Sequence, residues 1–217
     1  MERWLSRWAP LASIPAAVLL IVAISSGGNS SPGNNATAAQ VVRYYTAHAS
    51  GQKVSAITGT LAFVFLMFFM IALSGRVRAR GVGGWLANGV VAGAALAVVG
   101  FLPLLTFSFI LGNDIKFMRP ATAQTLNILN NDFFLPTVAG FVVLGIVAGL
   151  AVVVSRAPAR WMGWVLFAFG VAAAVPPLSF FAFLAIFLWA LVAGIWLVVK
   201  DRAPVQAEPR EPSLTAA

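Results

Sequence analysis

The chain of 217 residues has no cysteine and one histidine, and only 9% of its positions are charged, against roughly a quarter in an ordinary soluble domain. Without cysteine there is no disulfide framework, no thiolate metal site and no cysteine nucleophile. A lone His48 excludes paired axial histidines for a haem held by this chain alone. The scarcity of charge excludes a soluble fold, because a chain that is 60% hydrophobic carries more apolar surface than such a fold can hide. Gly-x-Ser-x-Gly, His-Glu-x-x-His, a Walker loop and a carboxylate pair with a base are all missing, so no catalytic, metal or cofactor site is expected and the chain reads as non-enzymatic.

What is there is collected in apolar blocks, each about the 20 residues needed to cross a hydrocarbon core of about 30 Å. The blocks predict an all-α integral membrane protein, a bundle of six transmembrane helices at about 9–26, 54–75, 85–111, 133–155, 161–175 and 178–199. The last two come from one apolar stretch, Trp161 to Val199, divided at Pro176-Pro177, because consecutive prolines cannot sit in an unbroken helix interior. Pro103 is a place where the third helix can bend. The first block is short enough that a cleaved signal peptide, with Ala23 and Ser25 at its small-residue positions, is an alternative to a retained span.

The formal net charge of +8 would suggest nucleic acid in a soluble protein, but here the basic residues flank apolar blocks and no nucleic acid partner is expected. With the N-terminus in the cytoplasm, Arg3, Arg7, Arg76, Arg78, Arg80, Arg156, Arg160, Lys200, Arg202 and Arg210 fall inside and only Arg43, Lys53, Lys116 and Arg119 outside. That asymmetry predicts a multi-pass cell-membrane protein with residues 1–8 and a disordered tail, 203–217, both cytoplasmic. Arg outnumbers Lys in an Ala-, Gly- and Val-rich chain, a usage that resembles a GC-rich bacterium. The basic turns at Arg78 to Arg80 and Arg156 to Arg160 each precede a tryptophan, Trp85 and Trp164, as shared interface chemistry or, less simply, a duplicated hairpin would require.

None of the expected spans contains Asp, Glu, Lys, Arg or His, which argues against a proton-coupled pump. Gly89-x-x-x-Gly93 and Gly145-x-x-x-Gly149 have the spacing that lets helix backbones approach, within one chain or, between two copies, in a homodimer. Asn88 is the one amide within a span and is expected to bond a neighbouring helix. On the outer side, Val41, Tyr44, Tyr45 and His48 recur with helical period, so Ala38 to His48 reads as an amphipathic outer helix. The richest polar cluster is also outside. Tyr44, His48, Asp114, Arg119, Asn130, Asn131 and Asp132 form a candidate outer polar pocket; the competing reading is that Asn131 or Asp132 simply caps the fourth span, with Pro136 in its first turn. The sequons at Asn29 and Asn35 carry almost no weight.

Three stretches carry a resemblance: Ala38-Ala39-Gln40-Val41-Val42-Arg43-Tyr44-Tyr45-Thr46-Ala47-His48, Leu126-Asn127-x-Leu129-Asn130-Asn131-Asp132-Phe133-Phe134-Leu135-Pro136, and Arg160-Trp161-Met162-Gly163-Trp164 before the proline hairpin. In this order of features the chain resembles bacterial, mainly actinobacterial, integral membrane proteins similar to the DUF4386 group. The resemblance covers about residues 10–200 and implies a multi-pass plasma-membrane protein with no established activity. The expected function is an accessory or scaffold component whose surroundings are the lipid bilayer and a membrane partner. The alternative is a carrier or channel for a small neutral or lipophilic solute, since an uncharged interior excludes ions but not such molecules. A membrane enzyme ranks third, its only acid and base groups lying outside and unpaired.

Overall fold

The computed structural model describes residues 8–27 and 31–200. The first seven residues, Asn29 and the tail from Ala203, on which the cytoplasmic-terminus, first-sequon and disordered-tail expectations rest, lie outside the described residues.

Among the described residues the chain is all helix and turn. A 3-10 turn at Ala9–Ala12 leads into α1 (Ser13–Ser26), followed by α2 (Ala38–Ala47), α3 (Ala49–Ala79) and α4 (Gly84–Asp114). After a 3-10 turn at Ile115–Phe117 come α5 (Pro120–Asp132), α6 (Phe134–Ser155), α7 (Arg160–Ala173) and α8 (Pro176–Lys200). Contacts run α1 to α3, α3 to α4, α4 to α6, α6 to α7 and α7 to α8, and α8 returns to α1, so six helices close a ring. Helices α2 and α5 pack on each other at one end as a cap. The turns after α3 and α6 meet at the opposite end, where Arg80 Nη1 donates to the Arg156 carbonyl at 2.6 Å.

Five of the six expected spans are long and apolar enough to cross a membrane. The sixth, α7, is a 14-residue apolar helix, about 21 Å at the α-helical rise and short of the hydrocarbon thickness. Its end is dictated by Pro176 and Pro177, which take the first two positions of α8, where a missing N–H removes a donor that would have no partner. In α4 the proline is accommodated instead: the helix runs unbroken through Pro103.

The outer wall of the ring is apolar, with Ile21, Phe68, Val99 and Leu188 each more than half exposed. Inside, the helices touch through glycine. A Cβ on Gly89 would come within 2.6 Å of Val147 Cγ1, and one on Gly93 within 3.0 Å of the Leu144 Cα, so the first Gly-x-x-x-Gly lies on α6. On its other face α6 meets α7: a Cβ on Gly145 would stand 2.4 Å from the Gly170 Cα, and one on Gly149 2.6 Å from the Phe167 nitrogen. Both motifs therefore pack within the chain. Gly100 and Gly140, which the spacing did not single out, extend the α4–α6 seam, and the Thr137 hydroxyl crosses it to the Gly100 carbonyl at 2.9 Å. Other buried hydroxyls also find carbonyls, Ser74 that of Ala87 at 2.6 Å, as desolvated donors must. Asn88 bonds its neighbour helix as expected, accepting from Arg78 of α3, but it is exposed at the arginine end.

Candidate functional site

The cap is built from short polar segments held by their own chemistry. Thr37 and Gln40 form a reciprocal capping box that starts α2. One face of α2 then buries Val41 and Tyr45 against Leu111, Ile115 and Ala123, while Tyr44 is half-buried and His48 exposed. The Tyr45 hydroxyl donates to Asn127 Oδ1 at 3.1 Å, and the amide nitrogens of Asn127 and Asn131 donate to the Pro32 carbonyl at 2.9 and 3.0 Å. Burial pushes the Tyr45 phenol well above its ordinary range and Tyr44 upward as well, Gln52 partly opposing the shift at Tyr44, so both stay neutral hydrogen-bonding groups.

The structure divides the seven expected outer residues. Tyr44 and Asn130 face a common cavity. His48 stacks on the Tyr44 ring, centroids 4.4 Å apart, and its Nδ1 lies 2.9 Å from the Tyr44 carbonyl. Asn131 and Asp132 turn the other way and hold Asn34, Asp132 accepting from its amide at 2.7 Å. Asp114 accepts from its neighbour Asn113, and Arg119 is exposed at the start of α5.

The capping role expected of Asn131 or Asp132 is overturned. Asp132 is the last residue of α5, the cap position of α6 is Phe133, and no side chain bonds there. The chain passes from one helix into the next through Phe133, whose N–H still bonds the Leu129 carbonyl at 2.9 Å, and Pro136 removes a further donor from the first turn. Replacing Asp132 by alanine should therefore lower thermal stability only slightly, by less than about 1 kcal/mol for one exposed hydrogen bond. Tyr45→Phe should cost more, about 1–3 kcal/mol, because it strands the buried Asn127 acceptor. Melting curves of the two variants check the order; an equal or larger loss for Asp132→Ala would contradict it.

Below the cap lies a cavity of about 400 Å³, within the range that encloses small organic ligands. Its origin is geometric. From the contact of Gly145 with Gly170, α6 continues eleven residues to Phe134 but α7 only three to Ala173. The difference of eight residues leaves about 12 Å of α6 with no α7 beside it. The floor of this notch is Ala173, Ser179, Phe180 and Phe183 of the hairpin; Phe101 of α4 and Phe141 of α6 wall it, each within 5.5 Å of the Phe183 ring by centroid. Leu20, Ala23 and Ile24 of α1, Gly59 of α3, Leu104 and Leu105 of α4 and Phe134 and Val138 of α6 make up the rest of the apolar part. The cap side carries Tyr44, Gln52, Ser55, Ser108 and Asn130.

Among the described residues the lining has no Asp, Glu, Lys, Arg or His, and no group of such side chains could hold a metal. It combines apolar walls with neutral hydrogen-bonding groups. Gln52, 7% exposed, and Tyr44 both donate to the Gly27 carbonyl, Tyr44 at 3.3 Å. The Ser108 hydroxyl donates to Asn130 Oδ1 at 3.3 Å, which leaves the Asn130 amide N–H groups without a partner among the described residues. Thr137 and Ser179 have spent their hydroxyls on backbone carbonyls. Of these residues only Tyr44 and Asn130 stood out by pattern. The signal for the rest was weak: a polar residue near the same end of several blocks, and phenylalanines from α4, α6 and α8. No protein-family profile, curated protein or solved structure matches the chain.

Proposed function

We propose that the chain is a multi-pass membrane protein that binds, and moves or presents, a small neutral and largely apolar solute in the cavity under the cap. The observation that carries this reading is a lining of aromatic and aliphatic side chains with a rim of uncharged amides and hydroxyls. Such a site offers an ion no counter-charge, whereas it suits a molecule with one hydrogen-bonding end. Titrating the protein in nanodiscs with Nile red, a neutral environment-sensitive dye, tests it: saturable binding of one dye per chain is expected, and only linear partitioning equal to that of empty discs would refute it.

The membrane setting has its own support. The six ring helices alternate, so the arginine turns, the Trp85, Trp161 and Trp164 side chains, each half or more exposed, and Lys200, whose ammonium lies 5.6 Å from the Trp196 ring centre, all belong to one end. Positive charge and interfacial tryptophan together support reading this end as the cytoplasmic side, with both termini on it. Reporter fusions at Arg78, Pro158 and Arg210 should read cytoplasmic and those at Ser30 and Met118 external; an external reading at Arg210 would overturn the orientation. The accessory or scaffold role stands second, favoured by the cap, whose polar network makes α2 and α5 one firm outward surface.

A further inference from the structure

The turn between α7 and α8 is unlike the cap, and it indicates how the cavity is reached. From Ala174 to Leu178 every residue is apolar and exposed, with Phe180 and Phe181 beyond them 51% and 67% exposed. A turn that reached water would be expected to carry polar residues. Its backbone donors are also all accounted for, and of its carbonyls only that of Ala174 accepts no bond from the described residues. The N–H groups of Ala174 and Val175 bond the carbonyls of Val171 and Ala172, those of Leu178 and Ser179 bond that of Val175, and Pro176 and Pro177 have none. The Ser179 hydroxyl adds a bond to the Ala173 carbonyl at 2.7 Å. Internally satisfied donors and an apolar skin suit a hairpin tip that ends in hydrocarbon.

Beside that tip the cavity wall is incomplete. Ile24 of α1 and Phe180 of α8 both line the cavity and yet are about half exposed, at 47% and 51%, so at these two residues the lining continues onto the same apolar exterior as the tip. Inside, the rings of Phe101, Phe141 and Phe183 pack into one wall, and the free hydrogen-bonding groups, Asn130 and Ser55, lie toward the cap.

Resting on the ligand-binding reading above, we propose that the α7–α8 hairpin ends within the outer leaflet and that the cavity takes a neutral single-chain lipid of the monoacylglycerol class sideways through the opening at Ile24 and Phe180. The acyl chain lies on the phenylalanines and the uncharged glycerol hydroxyls meet Asn130 and Ser55. A carboxylate or phosphate headgroup would be desolvated there with no cation to balance it.

Two measurements on the full chain in nanodiscs test the proposal. Because the chain is free of cysteine, Phe180→Cys gives a single labelling site on an exposed side chain. A bimane attached there should be quenched by lipids carrying a nitroxide on the acyl chain and not by iodide in the buffer; quenching by iodide would overturn the lateral opening. In the second, monoolein should displace bound Nile red at about a tenfold lower concentration than oleate or lysophosphatidylcholine, a gap of about 1.4 kcal/mol. Equal displacement by oleate would overturn the lipid class while leaving the binding reading intact. Absence of saturable dye binding would remove both, and the bimane result would still report separately whether the tip lies in lipid.

Discussion

Gly145→Leu should prevent recovery of monodisperse folded protein. A Cβ at this position would stand 2.4 Å from the Gly170 Cα and 2.7 Å from its nitrogen, and a Cβ on Gly170 would stand 2.6 Å from the Ile146 nitrogen. These neighbours are backbone, so no side-chain rotation relieves the clash, and the two helices must separate. Separation also moves Phe167 away from Gly149 and Val153 away from Gly163, so it opens the whole α6–α7 seam. Even alanine, which in an exposed helix improves on glycine by about 1 kcal/mol, should here be destabilising, since overpacking typically costs about 1–3 kcal/mol. Gly75 is the control. Nothing lies within 4 Å of its hypothetical Cβ, so Gly75→Ala should be neutral or raise the melting temperature. Size-exclusion profiles after heating read both effects, and a Gly145→Leu protein that melts like the parent would contradict the direct α6–α7 contact.

Filling the cavity should remove ligand binding without unfolding the chain. Ser108→Phe puts a ring where a half-buried hydroxyl faces the space between α4 and the cap, and Ala23→Leu extends a buried side chain into it from α1. Each variant adds bulk toward an existing void, so the chain should still fold, with a stability loss no larger than the about 1–3 kcal/mol typical of overpacking. Nile red affinity should fall at least about tenfold, the equivalent of about 1.4 kcal/mol. Undiminished binding in both variants would place the dye elsewhere, in bulk lipid or on the outer wall. A variant of the exposed wall, Leu188→Phe, should leave binding unchanged.

Much of the frame is legible in the residues. Block length and the exclusion of charge announce membrane-scale helices, and Pro176-Pro177 locates the break between α7 and α8. Val41 and Tyr45 give the buried face of α2. The two Gly-x-x-x-Gly motifs mark contact faces, although nothing in them says that α6 would take one on each side. Asp132 misled because a carboxylate before an apolar run is the usual sign of a helix start, and the sign does not reveal that another helix, α5, runs straight into α6. The cavity was not legible for a different reason. It depends on the offset between α6 and α7, and that offset is set by which glycine meets which across the seam. Local pattern reports the length of each helix; a relative depth is a tertiary quantity. The polar rim follows the same logic, since Gln52, Ser108 and Asn130 come together only through the packing of α3, α4 and α5.

The measurement that bears most directly on the central reading is a density map of the protein in lipid nanodiscs containing monoolein. The account predicts one elongated density lying against the wall formed by Phe101, Phe141 and Phe183, with its blunt end at Asn130 and its axis aimed past Ile24 and Phe180. Helices α1, α4 and α6 closed over that wall, leaving no space and no density under the cap, would contradict it.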